Sequence, residues 1–253
     1  EATPNNGGET EPTEPVDDGV ATITCQSGDA NYITRSELET MIGNEDDVTG
    51  VCTSGITDFS KLFWGNFEFD QDISRWDVSN GVDFSAMFSN AIAFNHDISD
   101  WDVSKGVDFS QMFDSAEAFN QNINKWDVSS GTNFSSMFFW AKKFNQPLNN
   151  WDVSKGQNFN SMFGQTDLFN QDIGSWTVSS GTNFASMFDS AVAYNHNLSG
   201  WDVSNGIEFG WMFSEASSYS HDISNWNVDN ALNYSWFYNA SGLVSTQVPV
   251  KFR

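Results

Sequence analysis

The chain has only three histidines, His96, His196 and His221. Imidazoles bind metals and move protons, so these are the first side chains to test for chemistry. All three occupy one repeating position, filled elsewhere by Gln71, Gln121, Gln146 and Gln171. A place that takes His or Gln interchangeably reads as a polar lattice position. The competing reading, a metal shared by His196, His221 and Asp222, lacks a third strong ligand. Asp77, Asp102, Asp127, Asp152 and Asp202 resemble a calcium ladder, but Thr177 and Asn227 interrupt it, so turn capping is the simpler role. Asn95, Asn120, Asn145, Asn170 and Asn195 read as a buried hydrogen-bonding ladder. Each Ser, Asp or His recurs as a lattice position, and glycines fall once per repeat instead of in a phosphate loop. The sequence therefore predicts no enzyme, no cofactor and no metal.

What positions these residues is a repeat. Trp76, Trp101, Trp126, Trp151, Trp176, Trp201 and Trp226 are spaced by 25 without a slip. Phe84 through Phe209 and then Tyr234 keep the same register, as do Met87 through Met212, Phe88 through Phe213, Ile73 through Ile223 and Gly81 through Gly206. Within one repeat, Phe84, Met87, Phe88 and Ala91 follow i, i+3, i+4, i+7, which predicts a short helix over 83–91. A short strand is expected over 96–100, and Gly81 is expected to supply a positive φ in a turn. No repeat can bury its apolar side chains alone, so neighbours must stack. The predicted fold class is α/β, a right-handed solenoid of about eight 25-residue coils with a cap at each end.

The ends differ in composition. Residues 1–18 carry six acids and no base, and read as an acidic Pro/Thr/Glu-rich tail or linker. Residues 19–50 read as an N-terminal cap, with a short strand over Ala21–Cys25 and a helix opened by the capping box Thr34-Arg-Ser-Glu37. Residues 51–240 hold the repeats, and residues 241–253 read as a closing strand or cap. Cys25 and Cys52 are the only cysteines and lack metal-type spacing, so a disulfide is expected, which implies an oxidising compartment. The formal charge of −24 disfavours nucleic acid and anionic membrane surfaces as partners. No apolar stretch is long enough to span a bilayer, and the absence of an initial Met reads as removal of a targeting segment.

The stretches Phe119-Asn-Gln-Asn-Ile-Asn-Lys-Trp-Asp-Val-Ser129 and Phe169-Asn-Gln-Asp-Ile-Gly-Ser-Trp176 resemble the BspA-type leucine-rich-repeat surface proteins of bacteria. Gly106-Val-Asp-Phe109 departs from the Val-Thr-Asn/Asp-Met usual there. The resemblance covers about residues 50–240. It implies a leucine-rich-repeat-like solenoid, export to the cell surface, often as a lipoprotein or wall-anchored protein, and a role in adhesion or protein binding without catalytic residues.

Residues that break their columns are the candidates for a binding surface. Trp64 and Phe139 stand where Ser89, Asp114 and Gly164 stand elsewhere. Trp140 replaces small polar residues and precedes Lys142 and Lys143, while Trp211 and Trp236 share a column with Ala86, Gln111 and Ser136. Exposed aromatics are the usual anchors of recognition, so these seven residues are expected to meet a protein or glycan outside the cell. The alternative is a self-assembling filament subunit ordered by its N-terminal tail or its solenoid ends.

Overall fold

The computed structural model describes Thr22, Ile23, Cys25 and residues 28–253. The expected acidic tail lies outside the described residues; of the strand expected over 21–25, Ala21 and Thr24 also lie outside them, and Thr22, Ile23 and Cys25 are in no strand. From Asp58 to Asn233, each coil lies on the next in parallel, bridged at Asp58, Asp83, Asp108, Asn133, Asn158, Asn183, Glu208 and Asn233.

The run after each bridge is a series of turns, not the helix expected over 83–91. Alternate amides leave the coil. Those of Phe84, Ala86, Phe88 and Asn90 donate to the carbonyls of Asp108, Ser110, Met112 and Asp114. The amides between them close local turns, with Met87 donating to Phe84 and Ser89 to Ala86. An α-helix would spend all of these groups internally and leave the next coil unbonded. The geometry also requires left-handed backbone twice per coil, at Ala86 (φ 53°) and Asn90 (φ 61°), which a right-handed helix excludes.

The strand expected over 96–100 is absent as well, since no bridge forms there. Side chains join the coils in its place. The amide of Asn120 donates to Oδ1 of Asn95, and that of Asn145 to Oδ1 of Asn120. This asparagine ladder is exposed or half-buried, where the sequence reading had it buried. Asx turns shape the corners: in one coil the amides of Ser74, Ser79 and Ser85 donate to Oδ1 of Asp72, Asp77 and Asp83.

Inside the stack, like residues lie on like. Phe84 and Phe109 stack with ring centroids 5.6 Å apart, and Trp101 and Trp126 with centroids 6.5 Å apart at 3°. All seven repeat tryptophans are buried. Gly81 is needed for close approach instead of the expected positive φ: a Cβ there would strike the Phe84 ring and the Val78 carbonyl.

At the N-terminal end, α1 (Arg35–Gly43) is capped by Thr34, whose side chain and amide exchange hydrogen bonds with Glu37. Leu38 of α1 is buried against the first coil, and a disulfide joins Cys25 to Cys52. At the other end, two short 3-10 turns, Ser245–Gln247 and Val250–Phe252, replace the closing strand. Pro249 supplies no amide for a strand ladder, and Phe252 lays its ring on Tyr234 with centroids 4.9 Å apart.

Candidate functional site

The lattice positions are accounted for by the stack. Nε2 of His96, His196 and His221 lies 2.8 to 3.1 Å from the carbonyl of Asp70, Asn170 and Asn195. Gln121 and Gln171 use their side-chain amides on the equivalent carbonyls of Asn95 and Asn145. A donor reaching one coil back is all this position requires, which explains why His and Gln exchange there. Nε2 of each histidine is therefore engaged by the coil before it.

Of the seven column-breaking residues, three come together at the middle of the stack. Phe139 is half-buried, its ring lying over Gly164 of the next coil. Trp140 meets it edge to face, with centroids 6.2 Å apart, and is 38% exposed. Nζ of Lys142 sits 5.0 Å from the Trp140 ring centroid and 3.7 Å from Oε1 of Glu117, one coil earlier. Burial raises the pKa of Asp114, which precedes Phe139 by one coil in the same column.

Trp140 adopts φ 57° on a backbone where the same column carries Gly65, Asn90 and Ser115. Left-handed backbone costs a residue with a Cβ about 1–2 kcal/mol, and a bulky side chain is an unusual tenant there. The ring is then pinned by a cation and a second ring while its remaining surface stays in water. Together these residues make one partly exposed patch. It offers aromatic surface, one ammonium group and one carboxylate.

The other candidates do not join it. Lys143 is exposed beside Lys142 and makes no ring or ion-pair contact among the described residues. Trp211 and Trp236, 44% and 61% exposed, occupy adjacent coils near the C-terminal end, both with positive φ. Trp64 stands apart on the first coil, 63% exposed. Sequence reasoning missed Glu117 and Gly164, whose roles come from stacking one coil away from the residues they serve. Their column offsets of 25 from Lys142 and Phe139 were the available signal.

Two clefts lie at the ends of the stack. One, of about 430 Å³, is lined by Ile42, Glu45, Asp46, Phe67, Glu68 and Asp70. The other, of about 460 Å³, is lined by Tyr234, Trp236, Tyr238, Ala240, Leu243 and Phe252. Among the described residues, no helix is long and apolar enough to cross a membrane.

No curated protein and no solved structure matches the chain. The family model described as "Mycoplasma protein of unknown function, DUF285" matches it three times, over residues 36–151, 107–180 and 132–248. These overlapping matches take in α1 and nearly all of the stacked coils, and on them the chain belongs to the DUF285 family.

Proposed function

We propose that the chain is an exported binding module, a right-handed solenoid of the BspA-type leucine-rich-repeat kind, which holds a protein or glycan outside the cell through Phe139, Trp140 and Lys142. The observation that carries this reading is Trp140. A large ring occupies a left-handed backbone position, is braced by Phe139 and Lys142, and keeps 38% of its surface in water. Every coil needs left-handed backbone at this position, but not a large ring on it, and exposed aromatics of this kind are enriched among ligand contacts. The disulfide between Cys25 and Cys52 supports export, since such bonds persist in oxidising surroundings. Recognition without catalysis agrees with a chain whose Ser, Asp and His side chains serve the lattice.

The test returns the patch to residues of its own columns, with Phe139→Ser and Trp140→Gln combined. Parent and variant are compared on a glycan microarray and on a panel of immobilised extracellular-matrix proteins. At least about a ten-fold loss of affinity, with the fold retained by circular dichroism, is the expected result for loss of an anchoring aromatic. Unchanged binding by the variant removes this patch from the function.

A further inference from the structure

The amide ladder that joins the coils ends differently at its two limits. At the C-terminal end, Tyr234, Trp236, Tyr238 and Ala240 hold the positions whose amides elsewhere donate to the next coil. Among the described residues, none of these four amides has an acceptor. The closing 3-10 turns cover the core with Phe252 and bond elsewhere, with Gln247 accepting from Ile223, so this edge stays open. Its side chains are exposed too: Trp236 is 61% and Tyr234 37% exposed, and the C-terminal cleft runs along the same residues.

At the N-terminal end the edge has the opposite chemistry. The carbonyls of Asp58, Ser60, Leu62 and Trp64 are in the positions that accept from a preceding coil. The guanidinium of Arg35 donates to those of Asp58 and Ser60. Those of Leu62 and Trp64 accept from no described residue. Beside them Trp64 and Phe67 are 63% and 56% exposed.

An open edge of backbone groups is a template for another chain, and folded proteins ordinarily cover it. Over residues 234–240 one edge offers only donors and over residues 58–64 the other offers only acceptors, while beside these rows the Leu232 carbonyl and the Thr57 amide hold the reverse positions. Two copies cannot pair residues 234–240 with each other, because that sets N–H against N–H. The acceptor row with matching two-residue spacing is on this chain itself.

We infer that copies of this chain associate head to tail, the C-terminal donor edge of one copy pairing with the N-terminal acceptor edge of the next. Continuing the 25-residue register across the junction sets the amide of Tyr238 against the carbonyl of Leu62 and that of Ala240 against the carbonyl of Trp64. The same register puts Asn239 beside Trp64 of the following copy, as Phe139 lies beside Gly164 within the chain. A heterologous contact of this kind does not close on itself, so its product is a linear array. The inference does not rest on the ligand reading above, because Phe139, Trp140 and Lys142 lie in the middle coils and stay accessible in the array.

Two measurements on the full chain test it. Sedimentation velocity of the unmodified protein across a concentration series is expected to show the weight-average mass rising at least about two-fold by mass action. For register, Asn239→Cys and Trp64→Cys proteins are mixed and oxidised. In-register coils bring these positions within disulfide reach, so the mixed dimer is expected to exceed either homodimer at least about five-fold. A constant monomer mass overturns the inference, and so do Asn239→Cys homodimers forming as readily as the mixed species. Either failure leaves the glycan and matrix-protein test of Trp140 standing, and a null result there leaves association untouched.

Discussion

The indole Nε1 of Trp126 donates to the carbonyl of Ile98, 3.0 Å away and 28 residues earlier. The same bond recurs from Trp76 to Val48 and from Trp226 to Leu198, so each indole ties its coil to the one before. The ring also stacks between Trp101 and Trp151. Trp126→Phe keeps an aromatic but removes one of the two donors to the Ile98 carbonyl, which still accepts from the Trp101 amide, and leaves the core short of volume. Loss of one hydrogen bond costs about 0.5–1.5 kcal/mol, and the lost volume adds to it. The variant is expected to lose at least that much stability by urea denaturation, and a change within about 0.5 kcal/mol refutes a structural role for the bond.

Tyr194 and Tyr219 stand in a column that is Phe in the five preceding coils, and among the described residues their buried hydroxyls have no hydrogen-bond partner at normal geometry. The backbone of Leu198 near the Tyr219 phenol lowers its pKa against the larger effect of burial. Burial pushes both phenols well above their ordinary pKa. Tyr194→Phe is expected to stabilise the protein by about 1 kcal/mol, since it removes an unsatisfied polar group without opening a cavity. Thermal melts of the two proteins decide this, and a lower midpoint in the variant counts against it.

Ser136 has φ 54° in the column of left-handed residues that runs from Lys61 to Trp236. Glycine adopts that backbone without a Cβ clash, though it gives up more chain entropy on folding. The strain of about 1–2 kcal/mol exceeds that entropy cost of about 0.5–1 kcal/mol. Ser136→Gly should therefore gain up to about 1 kcal/mol, and Ser136→Val should lose stability. The order Gly above Ser above Val in denaturation midpoint is the readout.

Hydrogen bonds from the side chains and amides of Ser129, Ser154 and Ser204 hold the carboxyls of Asp127, Asp152 and Asp202 below their ordinary range. A carboxyl with a depressed folded-state pKa binds its proton less readily than in the unfolded chain. It therefore stabilises the fold above the unfolded value of about 4, and this contribution is lost as pH falls through the lower folded value. Replacing all three by Asn keeps the turns and removes the titration. The parent's advantage over this triple variant should be full at neutral pH and shrink as pH falls from the unfolded value of about 4 through the lower folded values. An advantage that does not change with pH contradicts the assignment.

Register, stacked rings and the equivalence of His and Gln were legible because each depends on residue type at a fixed interval. Phe84, Met87, Phe88 and Ala91 misled toward a helix because successive turns in a stack bury the same i, i+3, i+4, i+7 set. What separates the two is where the amides of Ala86 and Asn90 point, and a backbone amide leaves no trace in residue type. Ser136, Ser161 and Trp211 gave no glycine or asparagine signal for the left-handed turns they make. At the patch, Phe139, Trp140 and Lys142 were visible as interruptions. Glu117 and Gly164 were not, because each looks ordinary in its own coil. The solenoid ends were expected as one route to assembly, but their donor and acceptor rows were not legible, because Tyr238 and Leu62 differ there only in backbone pairing.

Amide ladder, indole bonds and asparagine ladder all follow fixed offsets along the chain. Cutting out one whole unit away from the patch, such as residues 177–201, therefore rejoins Trp176 to Asp202 and gives the severed amide, indole and asparagine bonds equivalent partners. The molecule's length is quantised: it can shrink or grow by whole rungs while the termini and their disulfide are left alone. A lineage that duplicates or drops a rung thereby moves Trp140 nearer to one end or the other, which adjusts reach without redesigning the contact surface.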